Sequence, residues 1–171
     1  MALSLESPNQ VRQKVYGALQ GIGGPSGVLA TPAGSAKQKL WWVAARAFFD
    51  QWVDQGNANL QFVPFSEAEA DDADGTGLLD AACKIYLFYV KKTGSATTEN
   101  TVKLFESATV DTGSTAQTLS IILNAASQEA MLIYPTGFAQ ATGVTVTQHT
   151  TIEGSSDGSD GGDGFIVVGA A

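Results

Sequence analysis

From residue 59 onward the apolar residues of this chain come in short runs, separated by clusters of Gly, Ser, Thr and Asn at intervals of roughly 8–15 residues. That spacing constrains the fold more than any other feature. Each run is too short to build one face of a helix and about the right length for a strand. Seven runs stand out, at residues 60–65, 85–90, 101–105, 118–123, 130–134, 143–148 and 165–168. The first carries Pro64, which cannot donate to a ladder and favours an edge. The sixth, around Val144 and Val146, alternates apolar and polar as a half-buried strand does. The pattern predicts a mainly β fold, a jelly-roll-like antiparallel β-sandwich of seven or eight strands.

The first 56 residues read differently, as a helical N-terminal arm with a Gly/Pro linker, which leaves the sandwich to residues 57–171. Ser7–Pro8 is a helix start, because the missing N–H of proline costs nothing at the first helical position. Val11, Val15 and Leu19 recur at helical spacing before the glycines at 21, 23 and 24 and Pro25 end the segment. Residues 27–34 read as an extended linker. A second helix is predicted from Ser35, its cap, to Val53, with Gly56–Asn57 as its stop. It is rich in aromatics: Trp41, Trp42, Phe48, Phe49 and Trp52. Trp41, Ala45, Phe48 and Trp52 share one face, flanked by Leu40, Ala44 and Ala47, while Trp42 and Phe49 lie together on another. Two apolar faces on one helix imply burial on both sides. Either the helix packs over the chain's own sheet or one aromatic face meets a second chain. On the second reading the five aromatics are candidate interface residues, since Trp and Phe anchor interfaces disproportionately.

Charge excludes some partners. The net charge is −8, and charged residues are 15% of the chain, against roughly a quarter in ordinary soluble domains. Five basic residues face three acidic ones in residues 1–60, whereas four lysines face fourteen carboxylates beyond them. A body so acidic is a poor match for nucleic acid, which needs clustered Lys and Arg, and for anionic membrane surfaces. The N-terminal residues lack a basic region followed by an apolar stretch, and no apolar run approaches bilayer length, so the sequence predicts a protein made in a cytoplasm.

No catalytic constellation is legible. His149 is the only histidine and reads as a surface residue at a strand end. No nucleophile elbow, phosphate-binding loop or paired-histidine metal motif occurs. Cys83 is the only cysteine and reads as a buried, inert thiol. Asp157, Asp160 and Asp163 recur every third residue in a Gly/Ser loop, which makes them weak Ca²⁺ candidates. The acidic stretch at 67–77 reads as a solvated loop. The expectation is a protein that is not an enzyme and carries no cofactor.

Residues 82–170 resemble a family. YLFYV at 86–90, VKLFESATV at 102–110, LSIIL at 119–123, PTGFAQATGVTVT at 135–147 and the closing run at 165–168 follow one another with the cadence of small β-sandwich structural proteins encoded by tailed bacteriophages. The resemblance covers about half of the chain. It implies a virion protein of jelly-roll type: a capsid decoration (cement) protein, a head fibre or a tail part. It also implies a homo-oligomer, with a trimer favoured, and contacts to capsid or other virion proteins. A receptor- or carbohydrate-binding module of a tail or fibre is the alternative, with Phe138 as its candidate ligand-binding loop residue.

Overall fold

Two helices precede eight strands in a computed structural model that describes residues 1–20, 36–66, 76–92, 100–107, 117–123, 129–149 and 162–171. The expected linker at 27–34, the Ser35 cap, most of the acidic stretch, Asp157 and Asp160 lie outside the described residues. By backbone contacts the chain divides into two compact units, Ser4–Phe62, and Met1–Leu3 with Val63–Ala171.

The first unit is built on α1 (Pro8–Gln20) and α2 (Ala36–Asp54), which pack on each other. Ser7 and Gln10 close a capping box at the start of α1: the Ser7 N–H donates to Gln10 Oε1 (3.1 Å), and the Gln10 N–H donates to Ser7 Oγ (3.4 Å). Two of the orphan N–H groups of a helix start are thereby satisfied. At the other end, α2 stops where the sequence signals it. Gly56 adopts φ +64, its N–H donates to the Val53 carbonyl, and the Asn57 N–H donates to the Trp52 carbonyl. This is the paired bonding of a Schellman motif, which needs a residue tolerant of the left-handed region. Past the helices, Leu60 bridges antiparallel to Glu6.

The second unit is mainly β. One four-stranded antiparallel sheet has the order β1 (Leu60–Phe65), β8 (Gly162–Ala170), β3 (Cys83–Lys92), β6 (Glu129–Gln140). The other has the order β2 (Thr76–Leu79), β7 (Val144–His149), β4 (Asn100–Phe105), β5 (Leu119–Leu123). Side chains from both sheets share one apolar core. Phe65, Ile85, Phe88, Val90, Ile166 and Val168 come from the first sheet, and Leu79, Val102, Leu104, Leu123, Val144 and Val146 from the second. Each such side chain removed from water contributes roughly 1.5–3 kcal/mol. The sandwich character expected from the strand spacing is therefore present.

Two strands differ from expectation. β2 falls partly within the stretch read as loop; four residues that include Gly77 give too little alternation to announce a strand. β6 runs on to Gln140 instead of stopping near Tyr134, because it bulges. Ile85 of β3 sits opposite Phe138 while Leu87 sits opposite Ile133, so residues 134–137 are looped out of register. Gly137, at φ +78, makes that detour possible, and a Cβ there would press on Lys84 and the Tyr86 ring.

Candidate functional site

The aromatic helix is the leading candidate from the sequence, and its five aromatics prove to do different things. Trp42, Ala45 and Phe49 form one buried stripe, and Tyr16 of α1 packs into it, tilted against Trp42 and edge-on to Phe49. Trp42 and Phe49 thus build the hydrophobic centre of the helical unit. Phe48 is also buried, in edge contact with Phe49 (5.1 Å) and tilted against Trp52 (5.4 Å). Trp52 is half-buried, and its Nε1–H donates to the Ala58 carbonyl (3.0 Å), which holds the chain against the helix just past its end. Trp41 is half-buried as well.

Charged side chains flank this stripe. Asp50 accepts from Arg12 of α1 (3.3 Å) and from Arg46 one turn earlier (3.4 Å). The Arg46 guanidinium also lies over the Trp42 ring, 5.5 Å from its centre. Burial, with the Asp50 carboxylate adding to it, pushes the Tyr16 hydroxyl up to about 12.

The surface left open on α2 is a stripe that the sequence does not announce. Leu40 is 58% exposed and Val43 53%, with Ala47 exposed one turn on. These positions are i, i+3 and i+7 on one side of the helix. In the sequence alone Leu40 and Ala47 read as mere flanks of the aromatic face, and Val43 does not stand out. The signal is in the spacing, but the tryptophans outweigh it.

Phe138 lies within β6, not in a loop. It is half-buried, packs partly on the sandwich core, and stacks with Tyr134 (5.3 Å, 24°) across the bulge that exposes Pro135 and Thr136. Nothing in the sequence marks Tyr134 as its companion.

His149 is not a surface residue. It is fully buried at the end of β7, with Nε2 2.7 Å from Thr147 Oγ1. The register sets it beside Thr101, and Thr147 beside Lys103, with Ser120 of β5 beyond Lys103. Lys103 is buried too, and loss of hydration lowers its pKa. The sequence could not foresee this, because β7 exposes neither face and its alternation therefore carries no inside–outside information. A hydroxyl 2.7 Å from an imidazole has the spacing of a nucleophile and base, but both side chains are sealed from solvent.

The remaining candidates are structural or lie apart. Cys83 is buried in the core, and desolvation pushes its thiol up to about 11, the condition of an unreactive sulfur. Asp163 sits in β8 opposite Lys91 and is exposed. Among the described residues no three His, Cys, Asp or Glu side chains gather as a metal site would require. Within them, too, no helix is long and apolar enough to cross a membrane. No protein-family model matches the sequence, and no curated protein matches it.

Proposed function

We propose that this chain is a structural protein of a tailed-bacteriophage virion, a capsid decoration (cement) protein that stabilises a shell through apolar subunit contacts. Two lines support the reading besides the sequence resemblance. The sheet orders β1-β8-β3-β6 and β2-β7-β4-β5 place β1 beside β8, β2 beside β7, β3 beside β6 and β4 beside β5. That order fits a long hairpin rolled up on itself and supports the jelly-roll reading, an architecture of viral capsid domains. The observation that carries the assembly role is the open stripe of Leu40 and Val43 on α2. The helical unit has a buried aromatic centre without this stripe, and in this reading the stripe is the contact surface. In this reading the helices anchor the protein to its own copies, as a trimer, or to the shell.

The test is the mass of the full chain in solution, by sedimentation, against a Leu40→Ser/Val43→Ser variant, together with mass spectrometry of purified virions. The expected result is an oligomer that the double substitution reduces in size without changing the melting temperature, and peptides of this chain in the virion. A monomeric full chain, a variant that assembles undiminished, or virions without the protein would each defeat the reading.

A second reading, a receptor- or carbohydrate-binding module of a tail or fibre, gains from the Tyr134–Phe138 stack beside the exposed Pro135 and Thr136. Glycan-array binding that Tyr134→Ala removes would favour it. A silent array would dismiss it.

A further inference from the structure

Four strands end the two sheets: β1 and β6 in one, β2 and β5 in the other. An edge strand presents a row of unpaired N–H and C=O groups, a template for another strand. Folded proteins blunt such edges with proline, charge, bulges or brevity. Three of these four edges carry such a device. β1 has Pro64, exposed. β6 has Pro135, inside the bulge between Ile133 and Phe138. β2 is four residues long, with a register shift between Gly77 and Leu79.

β5 carries none. Leu119–Ser120–Ile121–Ile122–Leu123 has no charge, no proline and no glycine, and it pairs with β4 in unbroken register over all five residues. Among the described residues no strand lies on its other side. Leu119 and Ile121 pack against the core yet are only half-buried, and Ile122, on the opposite face, is 39% exposed. The core is therefore incompletely closed along this edge.

We propose that β5 is a self-association edge, on which the β5 of a second copy adds antiparallel about a two-fold axis centred on Ile121. The sequence of the strand suits its own reverse. In that register Leu119 faces Leu123 of the other copy, Ile121 faces its own counterpart, and Ser120 faces Ile122. The three core-directed side chains of each copy then meet on one face, closing the apolar surface that each leaves open alone. Charge selects the same place. Two copies of a chain with net charge −8 repel, and an uncharged strand is where they meet without bringing carboxylates together. Two five-residue strands bury far less than the roughly 1,200 Å² of a stable interface, so this contact is reversible and concentration-dependent. An interface that uses the same patch on both copies closes on itself. It is a contact distinct from that of α2, and it deepens the assembly reading by naming where two copies meet.

The experiment is sedimentation velocity of the full chain over a wide concentration range, for the natural sequence, Ile122→Lys and Leu40→Ser/Val43→Ser. Ile122 is already partly exposed, so lysine there leaves the sandwich folded and charges the edge, facing Ser120 of the other copy twice per contact. Association is expected to weaken about tenfold or more in Ile122→Lys. It is expected to persist, though reduced in stoichiometry, in the α2 variant. Oxidation of a Ser120→Cys/Ile122→Cys variant, with Cys83 buried, is expected to yield a dimer linked from 120 to 122, located by peptide mapping. Association lost in the α2 variant but undiminished in Ile122→Lys, with no 120–122 link, overturns the edge and leaves the α2 contact standing. A natural chain that stays monomeric overturns both.

Discussion

Tyr16 of α1 and Trp42 of α2 meet with ring centres 5.8 Å apart at 43°, and this contact decides which face of the aromatic helix is consumed. The helix carries aromatics on two sides, and its partner could have taken either. Because Tyr16 sits against Trp42 and Phe49, the other side is covered unevenly: Phe48 is buried, Trp41 and Trp52 are half-buried, and the Leu40–Val43 stripe is left open.

Phe49 should therefore be a folding residue. It is fully buried and touches both Tyr16 and Phe48. Phe49→Ala is expected to destabilise the helical unit by about 3–5 kcal/mol, through lost transfer energy and the cavity left behind. Val43→Ser is expected to stay within about 0.5 kcal/mol. Urea denaturation followed by helical circular dichroism separates the two, and equal costs would mean that the buried face has been misassigned.

Tyr16 also makes the helical unit sensitive to alkali. Its hydroxyl is buried with no hydrogen-bond partner among the described residues, and its pKa is pushed up from 10.0 to about 12. A raised folded-state value means that the folded chain holds the proton more tightly than the unfolded chain. The contribution is intact below pH 10 and is lost as pH rises from about 10 toward 12, by roughly 2–3 kcal/mol in all. Tyr16→Phe, which removes no hydrogen bond, is expected to change neutral-pH stability by less than about 0.5 kcal/mol and to flatten the decline. Denaturation midpoints at pH 8, 10 and 11 for both chains check this.

Much of the fold was legible because local signals agreed with the tertiary outcome. Ser7–Pro8 and Gly56 mark real helix ends, and seven of the eight strands fall on the expected runs. The failures have physical causes. β2 is too short to alternate, and the extension of β6 depends on the backbone of Gly137. His149 is buried on a strand with no exposed face, which composition cannot reveal. The candidate site was half legible: the sequence locates the aromatic helix, but the choice of buried face rests on Tyr16, which lies 26 residues before Trp42.

Tyr89 and Glu129 are a buried pair on the β3–β6 sheet. The Tyr89 hydroxyl donates to Glu129 Oε2 (3.0 Å), and burial, reinforced by that carboxylate, raises the Tyr89 pKa far above the usual tyrosine range. Tyr89→Phe strands a buried carboxylate, at an expected cost of about 1–3 kcal/mol. Adding Glu129→Gln should recover part of it, since a neutral amide is cheaper to leave without that donor. A double-mutant cycle by chemical denaturation measures the coupling, and additive costs would show that the hydrogen bond contributes nothing.

Two glycine-to-alanine substitutions should have opposite signs, and the contrast tests the packing of the sandwich. Gly164 of β8 sits opposite Val90 of β3, and a Cβ there would run into the Tyr89 carbonyl oxygen and the Phe65 ring. Phe65 is buried in the core beside Phe88, their rings stacked 6.0 Å apart, so it has nowhere to retreat. Gly164→Ala is expected to destabilise the β unit by about 1–3 kcal/mol, the usual cost of overpacking. Gly17 is exposed in the middle of α1, and an alanine Cβ there would meet nothing within 4 Å. There alanine only lowers the entropy of the unfolded chain and improves helix propensity, a gain of about 0.5–1 kcal/mol. Chemical denaturation of both variants reads the two signs. If Gly164→Ala were neutral, the Phe65 ring could not lie over β8 as described, and the β1 end of that sheet would have to pack differently.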